Sequence, residues 1–252
     1  MKIGFLGVGI IATCMIEGFC GLSQEQHHFF LSPRNAVKSA ALAARYRNIT
    51  VCRSNQHVVD EADVVVISMM AADCAEVLKG LKFRADQQII NVVATIPPED
   101  VREAVGAVGG FSQIIPPPSI RHRSGPIAAY PESAFLSELL SPLGTVVFAN
   151  NLDDIRTMQA ITGLIAVFYD TFRELAIFAE GEGLAHDKST SFMSVFFASL
   201  SENIKNADFN QLIGEMTPGG LNETALSILR EKGATKAWAD VMAPLMERIK
   251  RI

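Results

Sequence analysis

The chain opens with Lys2-Ile3-Gly4-Phe5-Leu6-Gly7-Val8-Gly9-Ile10-Ile11-Ala12, a short apolar run followed directly by Gly-x-Gly-x-x-Ala. This pattern is typical of the strand, tight turn and helix that begin a dinucleotide-binding fold. Gly7 permits the turn out of the strand, and Gly9 lets the backbone approach a pyrophosphate. Ala12 is small enough for the following helix to pack on the sheet.

The helix after this turn is expected to start near Ile10. The backbone N–H groups of Ile10 and Ile11 would then face the phosphates of a bound dinucleotide. The alternative is a structural turn without a ligand, since the glycine pattern alone is a weak signal. Its place directly after an apolar run favours the binding site.

Composition and charge narrow the function classes. The chain has 252 residues, is 49% hydrophobic and carries a formal net charge of −5, with no run of Lys or Arg. This argues against nucleic-acid and anionic-membrane partners and favours a small or nucleotide-like ligand. No apolar stretch reaches the roughly 18 residues of a spanning helix, and Met1 adjoins the first strand rather than a charged leader. We therefore expect a soluble, cytoplasmic protein.

The cysteines and histidines suggest neither a metal site nor a disulfide. The cysteines show no C-x-x-C spacing and lie in apolar or loop contexts typical of packing positions. The histidines lack the spacing of metal ligands, so no role is assigned to them. The residues concerned are Cys14, Cys20, Cys52, Cys74, His27, His28, His57 and His186.

The first half alternates β-rich runs with helical stretches, which predicts an α/β fold with a mostly parallel sheet covered on both faces. We assign residues 1–150 to this Rossmann-type, NAD(P)-binding domain. The predicted strands are Lys2–Leu6, His28–Ser32, Ile49–Val51, Val64–Ser68, Ile89–Val93 and Gln113–Ile115, with Gly144–Phe148 as a further edge strand. Helices are predicted to start near Ile10, Ala36, Asn55, Ala72 and Pro98.

Residues 151–252 show long helical segments and no strand signal, which predicts an all-helical domain. The segment Asp153–Gly183 is apolar almost all round. A helix that is apolar on every side must be covered on every side, and a second subunit is the simplest cover. We therefore expect a homodimer or a larger homo-oligomer. A central helix in a monomeric bundle is the alternative.

The residues after the second predicted strand indicate which cofactor is bound. The sequence there is Leu31-Ser32-Pro33-Arg34-Asn35, where an NAD enzyme usually carries Asp or Glu to hold the ribose 2′-hydroxyl. Ser32 and Arg34 could instead bind a 2′-phosphate, because a guanidinium matches phosphate oxygens. This predicts NADP (NADPH) as the cofactor. A solvated loop arginine is the alternative.

With these residues in place, the chain resembles the pyrroline-5-carboxylate reductases, which reduce a cyclic imine to proline with NAD(P)H. The first strand and glycine turn, the strand Asp63–Ile67, the turn at Gly181–Leu184 and the loop Thr217-Pro218-Gly219-Gly220 carry the resemblance. It implies that Asn55 lies near the adenosine. It also implies that Ser68, Met69 and Met70, which stand where the family has Ala-Val-Lys, contact the cofactor.

Other segments depart from the family pattern. Ile115-Pro116-Pro117-Pro118-Ser119 replaces Met-Pro-Asn-Thr-Pro beside the nicotinamide, and Ile161–Val167 replaces Ser-Gly-Ser-Gly-Pro-Ala-Tyr beside the substrate. Leu221 and Asn222 replace the two threonines that follow Gly219-Gly220 in the family. Loss of a pair of charge-assisted hydrogen bonds, each worth roughly 1.5–3 kcal/mol, would weaken the binding of a small carboxylate. The resemblance therefore implies a retained cofactor site and an altered substrate pocket, with residues 151–252 as the helical dimerisation and substrate domain.

The candidate catalytic residues are the polar side chains left in those substrate segments: Thr162, Thr217 and Asn222. A helix-interior threonine bonded to its own turn is the alternative for Thr162. Two polar clusters remain. One comprises Tyr169, Asp170, Arg173 and Glu174 and is interpreted as an ion-paired group, with proton donation as the alternative. The other is Arg121-His122-Arg123, interpreted as an exposed loop, with recognition of an anionic substrate as the alternative.

The function that the resemblance implies is NADPH-dependent reduction of 1-pyrroline-5-carboxylate in proline biosynthesis. Two alternatives stay open. One is a related NADP-dependent reductase acting on a different imine or carbonyl compound. The other is a non-catalytic, nucleotide-binding redox sensor.

Overall fold

The structure, a computed structural model, describes residues 1–22, 26–205 and 207–251. Its strands are β1 Lys2–Leu6, β2 His28–Leu31, β3 Ile49–Val51, β4 Val64–Ile67, β5 Gln88–Asn91, β6 Gly110–Ile115, β7 Pro126–Tyr130 and β8 Thr145–Phe148. The helices of the first half are α1 Ile10–Cys20, α2 Ala36–Arg45, α3 Asn55–Glu61, α4 Ala71–Lys79, α5 Pro98–Val105 and α6 Ala134–Leu140. Short 3₁₀ turns follow at Pro118–His122 and Ser141–Leu143.

The strands form one eight-stranded sheet in the order β3-β2-β1-β4-β5-β6-β7-β8. Every neighbouring pair is parallel except β6 with β7. The predicted Rossmann-type, mostly parallel sheet is confirmed. The strand order reverses direction at β1, with β2 on one side and β4 on the other, and this is where ligands bind in open α/β sheets.

Both faces of the sheet are buried, which explains the unbroken apolar strands. Phe5 and Val66 point into one core with α1, whereas Leu6 and Val65 point into a second core with α3 and α4. Because successive side chains of a strand point to opposite faces, each strand needs apolar residues at every position. All four cysteines lie buried in these cores, as expected of packing positions.

Two elements of the first half were missed by the sequence prediction. Strand β7 begins with a proline and contains two alanines, residues that carry little strand signal. Proline is tolerated as the first residue of a strand, so β7 can still pair with β6 and β8. The edge strand predicted at Gly144–Phe148 is confirmed as β8, and the helix α6 before it had not been predicted.

The second half is all-helical, as predicted. Its helices are α7 Leu152–Thr162, α8 Ile165–Gly181, α9 His186–Glu202, α10 Phe209–Gly214, α11 Leu221–Glu231, α12 Ala234–Asp240 and α13 Met242–Lys250. One compact unit comprises Met1–Gln159 with the chain from Arg248 onward, and a second comprises Ala160–Glu247. The functional division after residue 150 stays a prediction.

The segment Asp153–Gly183 is not the single helix expected from its sequence. It breaks between α7 and α8 at Gly163 and Leu164. A Cβ atom at Gly163 would lie 2.9 Å from Leu245 Cδ1 on α13, so glycine allows this close approach. Across the described part of the chain, no helix has the length and apolar character needed to cross a membrane.

Candidate active site

A cavity of about 600 Å³ lies at the carboxyl ends of β1, β2 and β4. Segments that follow these strands form its walls. The lining residues are Gly7, Val8, Gly9, Arg34, Asn35, Ala36, Val37, Ser68, Met69 and Met70. The cavity therefore brings together the glycine turn, the residues after β2 and the residues after β4.

The two glycines of the turn meet different constraints. Gly7 has φ +97°, and a Cβ atom there would lie 2.7 Å from the carbonyl oxygen of Ser68. Gly9 has φ −89°, which any residue can adopt, and its nearest neighbour would be that same oxygen at 3.9 Å. Gly7 is thus required by the fold, whereas Gly9 leaves open space beside the backbone. That space is what a bound pyrophosphate needs.

The segment after β2 is fastened to the glycine turn on both sides of Arg34. The Gly7 N–H donates to Ser32 Oγ at 2.9 Å, and Asn35 Nδ2 donates to the carbonyl oxygen of Val8 at 3.2 Å. Ser32 is only 1% exposed. The buried hydroxyl of Ser32 thus accepts a hydrogen bond from the glycine turn, and its predicted contact with a 2′-phosphate stays a prediction.

Arg34 lies at the cavity and forms an ion pair with Asp73 in the first turn of α4, with Nη1 and Oδ2 2.5 Å apart. Asn35 caps α2 by accepting the N–H of Lys38. The sequence reasoning missed the roles of Asn35 and Asp73. An asparagine directly before a helix is a recognisable cap signal. Nothing local in the sequence connects Asp73 with Arg34.

The remaining predicted cofactor residues occupy several environments. Ile10 is exposed at the start of α1, Ile11 packs against the core, and Ala12 is fully buried. Asn55 is half-buried at the start of α3, which follows the carboxyl end of β3. Ser68 donates its hydroxyl to the carbonyl oxygen of Gly7 at 2.7 Å. Ser68 therefore joins the end of β4 to the glycine turn.

A buried amide pair, also missed from the sequence, joins the carboxyl end of β5 to the neighbouring residue within β6. Asn91 Nδ2 donates to Gln113 Oε1 at 2.6 Å, and Asn91 Oδ1 accepts the N–H of Val93 at 3.1 Å. Both amides are almost completely buried. They fix the backbone where the chain leaves β5, next to a second cavity of about 290 Å³ that Gln113 and Val93 line.

The three candidate catalytic residues lie in the second compact unit. Thr162 is half-buried at the end of α7. Thr217 and Asn222 are exposed on either side of a turn in which the Gly220 N–H donates to the Thr217 carbonyl oxygen at 3.0 Å. Gly219 in this turn has φ +71°. A tight glycine turn and the start of α11 therefore present Thr217 and Asn222 to solvent.

The two charged clusters form ion pairs. Arg121 lies in an exposed segment, and it contacts Glu17 at 3.5 Å and Cys14 Sγ at 3.0 Å on α1. On α8, Arg173 pairs with Asp170 at 2.8 Å and with Glu174 at 3.1 Å. The neighbours His122, Arg123 and Tyr169 are exposed. Within the described residues, no group of His, Cys, Asp and Glu could hold a metal ion.

Known proteins resemble this chain in sequence and in fold. A family described as NADP oxidoreductase coenzyme F420-dependent matches residues 2–95. Pyrroline-5-carboxylate reductase 2 of Bacillus subtilis (strain 168) is 23% identical over 245 residues, which cover 91% of this chain and 87% of that protein. The crystal structure of 1-pyrroline-5-carboxylate reductase from Streptococcus pyogenes has a TM-score of 0.84 at 22% identity, covering 100% of this chain and 99% of that chain.

A third similar protein is the pyrroline carboxylate reductase of Plasmodium falciparum, whose crystal structure has NADP bound. It has a TM-score of 0.82 at 17% identity and covers 100% of this chain and 97% of that chain. The similarity in sequence and the similarity in fold both span nine-tenths of the chain or more. The resemblance predicted from the motifs is confirmed: in sequence and in fold the chain is similar to pyrroline-5-carboxylate reductases.

Proposed function

We propose that this protein is an NADPH-dependent oxidoreductase that reduces the C=N bond of 1-pyrroline-5-carboxylate to give proline. The observation that carries the proposal is the cavity around Gly7 and Gly9 with Arg34 on its wall, in a chain that matches pyrroline-5-carboxylate reductases from end to end. We assign cofactor binding to residues 1–150, and substrate binding and dimerisation to residues 151–252. The cytoplasmic location stays a prediction.

The residues present fit NADPH. Open space above Gly9 admits a pyrophosphate, and the start of the eleven-residue helix α1 supplies backbone N–H groups and a positive dipole end. Arg34 supplies a cation for the 2′-phosphate, and no acidic residue replaces it between β2 and α2. When bound, NADPH supplies the hydride for the reduction.

The protein's own contribution is to position the imine, to exclude water and to supply a polar contact. The Asn91–Gln113 pair keeps the end of β5 rigid, which suits a wall that must hold two reacting carbons in register. Thr162, Thr217 and Asn222 are the proposed polar contacts to substrate. An imine that arrives protonated needs no further acid, so these side chains can act by orientation alone.

We propose a homodimer built on the apolar faces of α8 and α9. In the single chain, Phe178, Phe192 and Val195 are each about two-thirds exposed or more. Patches of large exposed apolar side chains mark interaction surfaces. Most soluble oligomers are homo-oligomers, and two-fold dimers are the commonest of them. Sedimentation equilibrium should give twice the chain mass. A V195D variant should shift the protein toward monomer, whereas a monomeric wild-type protein would exclude the dimer.

The test of the activity is NADPH oxidation by the purified protein with 1-pyrroline-5-carboxylate, followed by loss of reduced-cofactor absorbance against a control without enzyme. Turnover of about 1 per second or more would support the proposed substrate. Absence of turnover with NADPH still bound would remove it.

A second candidate function is reduction of a different imine or a carbonyl compound with the same cofactor. The observation that favours it is the exposure of Ile161 and Leu221 at positions where the family pattern has polar side chains. A panel of cyclic imines without a carboxylate discriminates the two, because apolar residues should favour the uncharged substrates. Binding of NADPH with no turnover on any imine or ketone would instead indicate a redox sensor.

A further inference from the structure

Arg34, on the wall of the cofactor cavity, forms an ion pair with Asp73 in the first turn of α4. Arg34 follows β2 and Asp73 follows β4, and the sheet order puts β1 between these two strands. The pair therefore joins the two segments on either side of the glycine turn that ends β1. The residues after β2 are those that approach the adenosine ribose in dinucleotide-binding folds, so Arg34 stands where a 2′-phosphate would bind.

The backbone around Arg34 is held, but its guanidinium is free to turn. The contacts of Ser32 and Asn35 with the glycine turn fix the chain on both sides of Arg34. The Arg34 side chain is 66% exposed, and its contact with Asp73 uses one guanidinium nitrogen, Nη1. Asp73 itself is anchored in the first turn of α4, where a carboxylate is favoured by the helix dipole. Arg34 is thus the partner that can move.

We propose that Asp73 is a specificity residue of the cofactor site, acting as the counter-ion of Arg34 until a 2′-phosphate displaces it. The inference rests on the proposed binding of NADPH. In the NADPH complex, the guanidinium leaves Asp73 and pairs with the 2′-phosphate. In the NADH complex, which has no phosphate at this position, the Arg34–Asp73 pair stays closed.

The direction of this exchange follows from the strengths of the two contacts. An ion pair between a guanidinium and a carboxylate near the protein surface is worth little free energy. Water and salt screen it, and both side chains lose conformational freedom when it forms. A phosphate carries more negative charge and offers several oxygens to the planar guanidinium, so it forms the stronger contact. Asp73 nevertheless lowers NADPH affinity, since its pair with Arg34 must open. NADH binds without opening the pair, so its affinity is not lowered by Asp73.

The substitution Asp73→Asn keeps the size of the side chain and removes its charge. We expect D73N to bind NADPH about 2- to 5-fold more tightly, the ratio that corresponds to an exposed ion pair. NADH binding should change by less than this ratio. Glu76→Gln is the matched control, because Glu76 is exposed on the same helix and its loss changes the net charge equally. E76Q should bind both cofactors like wild type.

A double-mutant cycle separates the proposed competition from simple charge repulsion. Arg34→Gln should weaken NADPH binding at least tenfold and bring it close to that of NADH. In the R34Q background, D73N should give less than half of the gain that it gives in wild type, because no arginine remains to be released. An equal gain in both backgrounds would mean that Asp73 acts on the phosphate directly, and would overturn the proposal.

The experiment is a set of calorimetric titrations of wild type, D73N, E76Q, R34Q and the double variant with NADPH, NADH and adenosine 2′,5′-bisphosphate. Selective tightening by D73N for the two 2′-phosphate ligands supports the proposal. Unchanged NADPH affinity in D73N, with wild type binding normally, overturns it while leaving the proposed function intact. No binding of NADPH by wild type would reject the proposed function as well.

Discussion

The hydroxyl oxygen of Ser32 accepts the backbone N–H of Gly7 at 2.9 Å, and so joins the end of β2 to the turn that ends β1. On the opposite side of β1, the hydroxyl of Ser68, which follows β4, donates to the carbonyl oxygen of Gly7. The backbone N–H and the carbonyl oxygen of Gly7 thereby both have hydrogen-bond partners within the protein. These two hydrogen bonds fix the conformation of the glycine turn without a bound cofactor.

Replacing Ser32 by alanine should destabilise the glycine turn, because it removes the hydrogen bond to the Gly7 N–H. The Gly7 N–H would lose its partner in a place that water barely reaches, which costs about 1–3 kcal/mol. We expect S32A to unfold at lower denaturant concentration and to bind NADPH more weakly. Ser112→Ala is a matched control, since Ser112 is also buried but lies on β6, away from the cavity. Equal NADPH affinity in S32A and wild type would contradict the role given to Ser32.

The two glycines of the turn should separate stability from binding. Gly7→Ala introduces a Cβ atom at φ +97° and 2.7 Å from a carbonyl oxygen, so it should lose about 1–3 kcal/mol of stability. Gly9→Val meets no such obstacle and should fold like wild type, yet it should fail to bind NADPH because its side chain fills the pyrophosphate space. Thermal unfolding and cofactor titration on both variants check this. Normal NADPH binding by G9V would remove the cofactor site from this turn.

His27 should make the protein less stable in mild acid. Burial, helped by the positive charge of the N-terminus, lowers the pKa of its imidazole below the usual 6.5. The unfolded state then binds the proton more readily than the folded state, so the free energy of unfolding falls as the pH drops below 6.5 toward the folded pKa. Phenylalanine keeps the ring contacts with Phe19 and Phe29 and removes the titration.

The check is the free energy of unfolding of wild type and H27F, measured by urea titration between neutral and mildly acidic pH. The wild-type curve should fall more steeply than the H27F curve within that window. Parallel curves would show that His27 contributes nothing to the acid sensitivity.

The buried thiols of Cys52 and Cys74 should resist alkylation in the folded protein. Burial raises the pKa of each to about 11, so very little reactive thiolate is present near pH 8. We expect mass spectrometry after iodoacetamide treatment to find both thiols unmodified in buffer and fully modified in concentrated urea. Rapid labelling of either one in buffer would contradict its place in the core.

The sequence was most informative where local chemistry and fold coincide. The strand, turn and helix from Lys2 to Cys20 could be predicted because Gly7 and Ala12 meet constraints that few residues satisfy. The parallel sheet followed from unbroken apolar strands that must be covered on both faces. Strand β7 gave no such signal, since Pro126 and two alanines are common outside strands.

Contacts across the fold were harder to predict. Arg34 was recognisable from its place after β2, but its pairing with Asp73 depends on the order of strands, which periodicity does not specify. The break at Gly163 likewise depends on its packing against Leu245 of α13, which lies 82 positions further along the chain and gives no local signal. In the second unit, Thr162, Thr217 and Asn222 stay predictions, because the segments around them depart from the family pattern.

The most direct test of the central claim is transfer of deuterium from NADPH labelled at the reactive carbon of the nicotinamide to 1-pyrroline-5-carboxylate, analysed by mass spectrometry of the product. The account predicts proline that carries one deuterium on the ring carbon formerly double-bonded to nitrogen, with no labelled product from G9V. Wild-type enzyme that binds labelled NADPH but gives no deuterated proline would contradict the claim, and would mean that this site reduces another substrate or none.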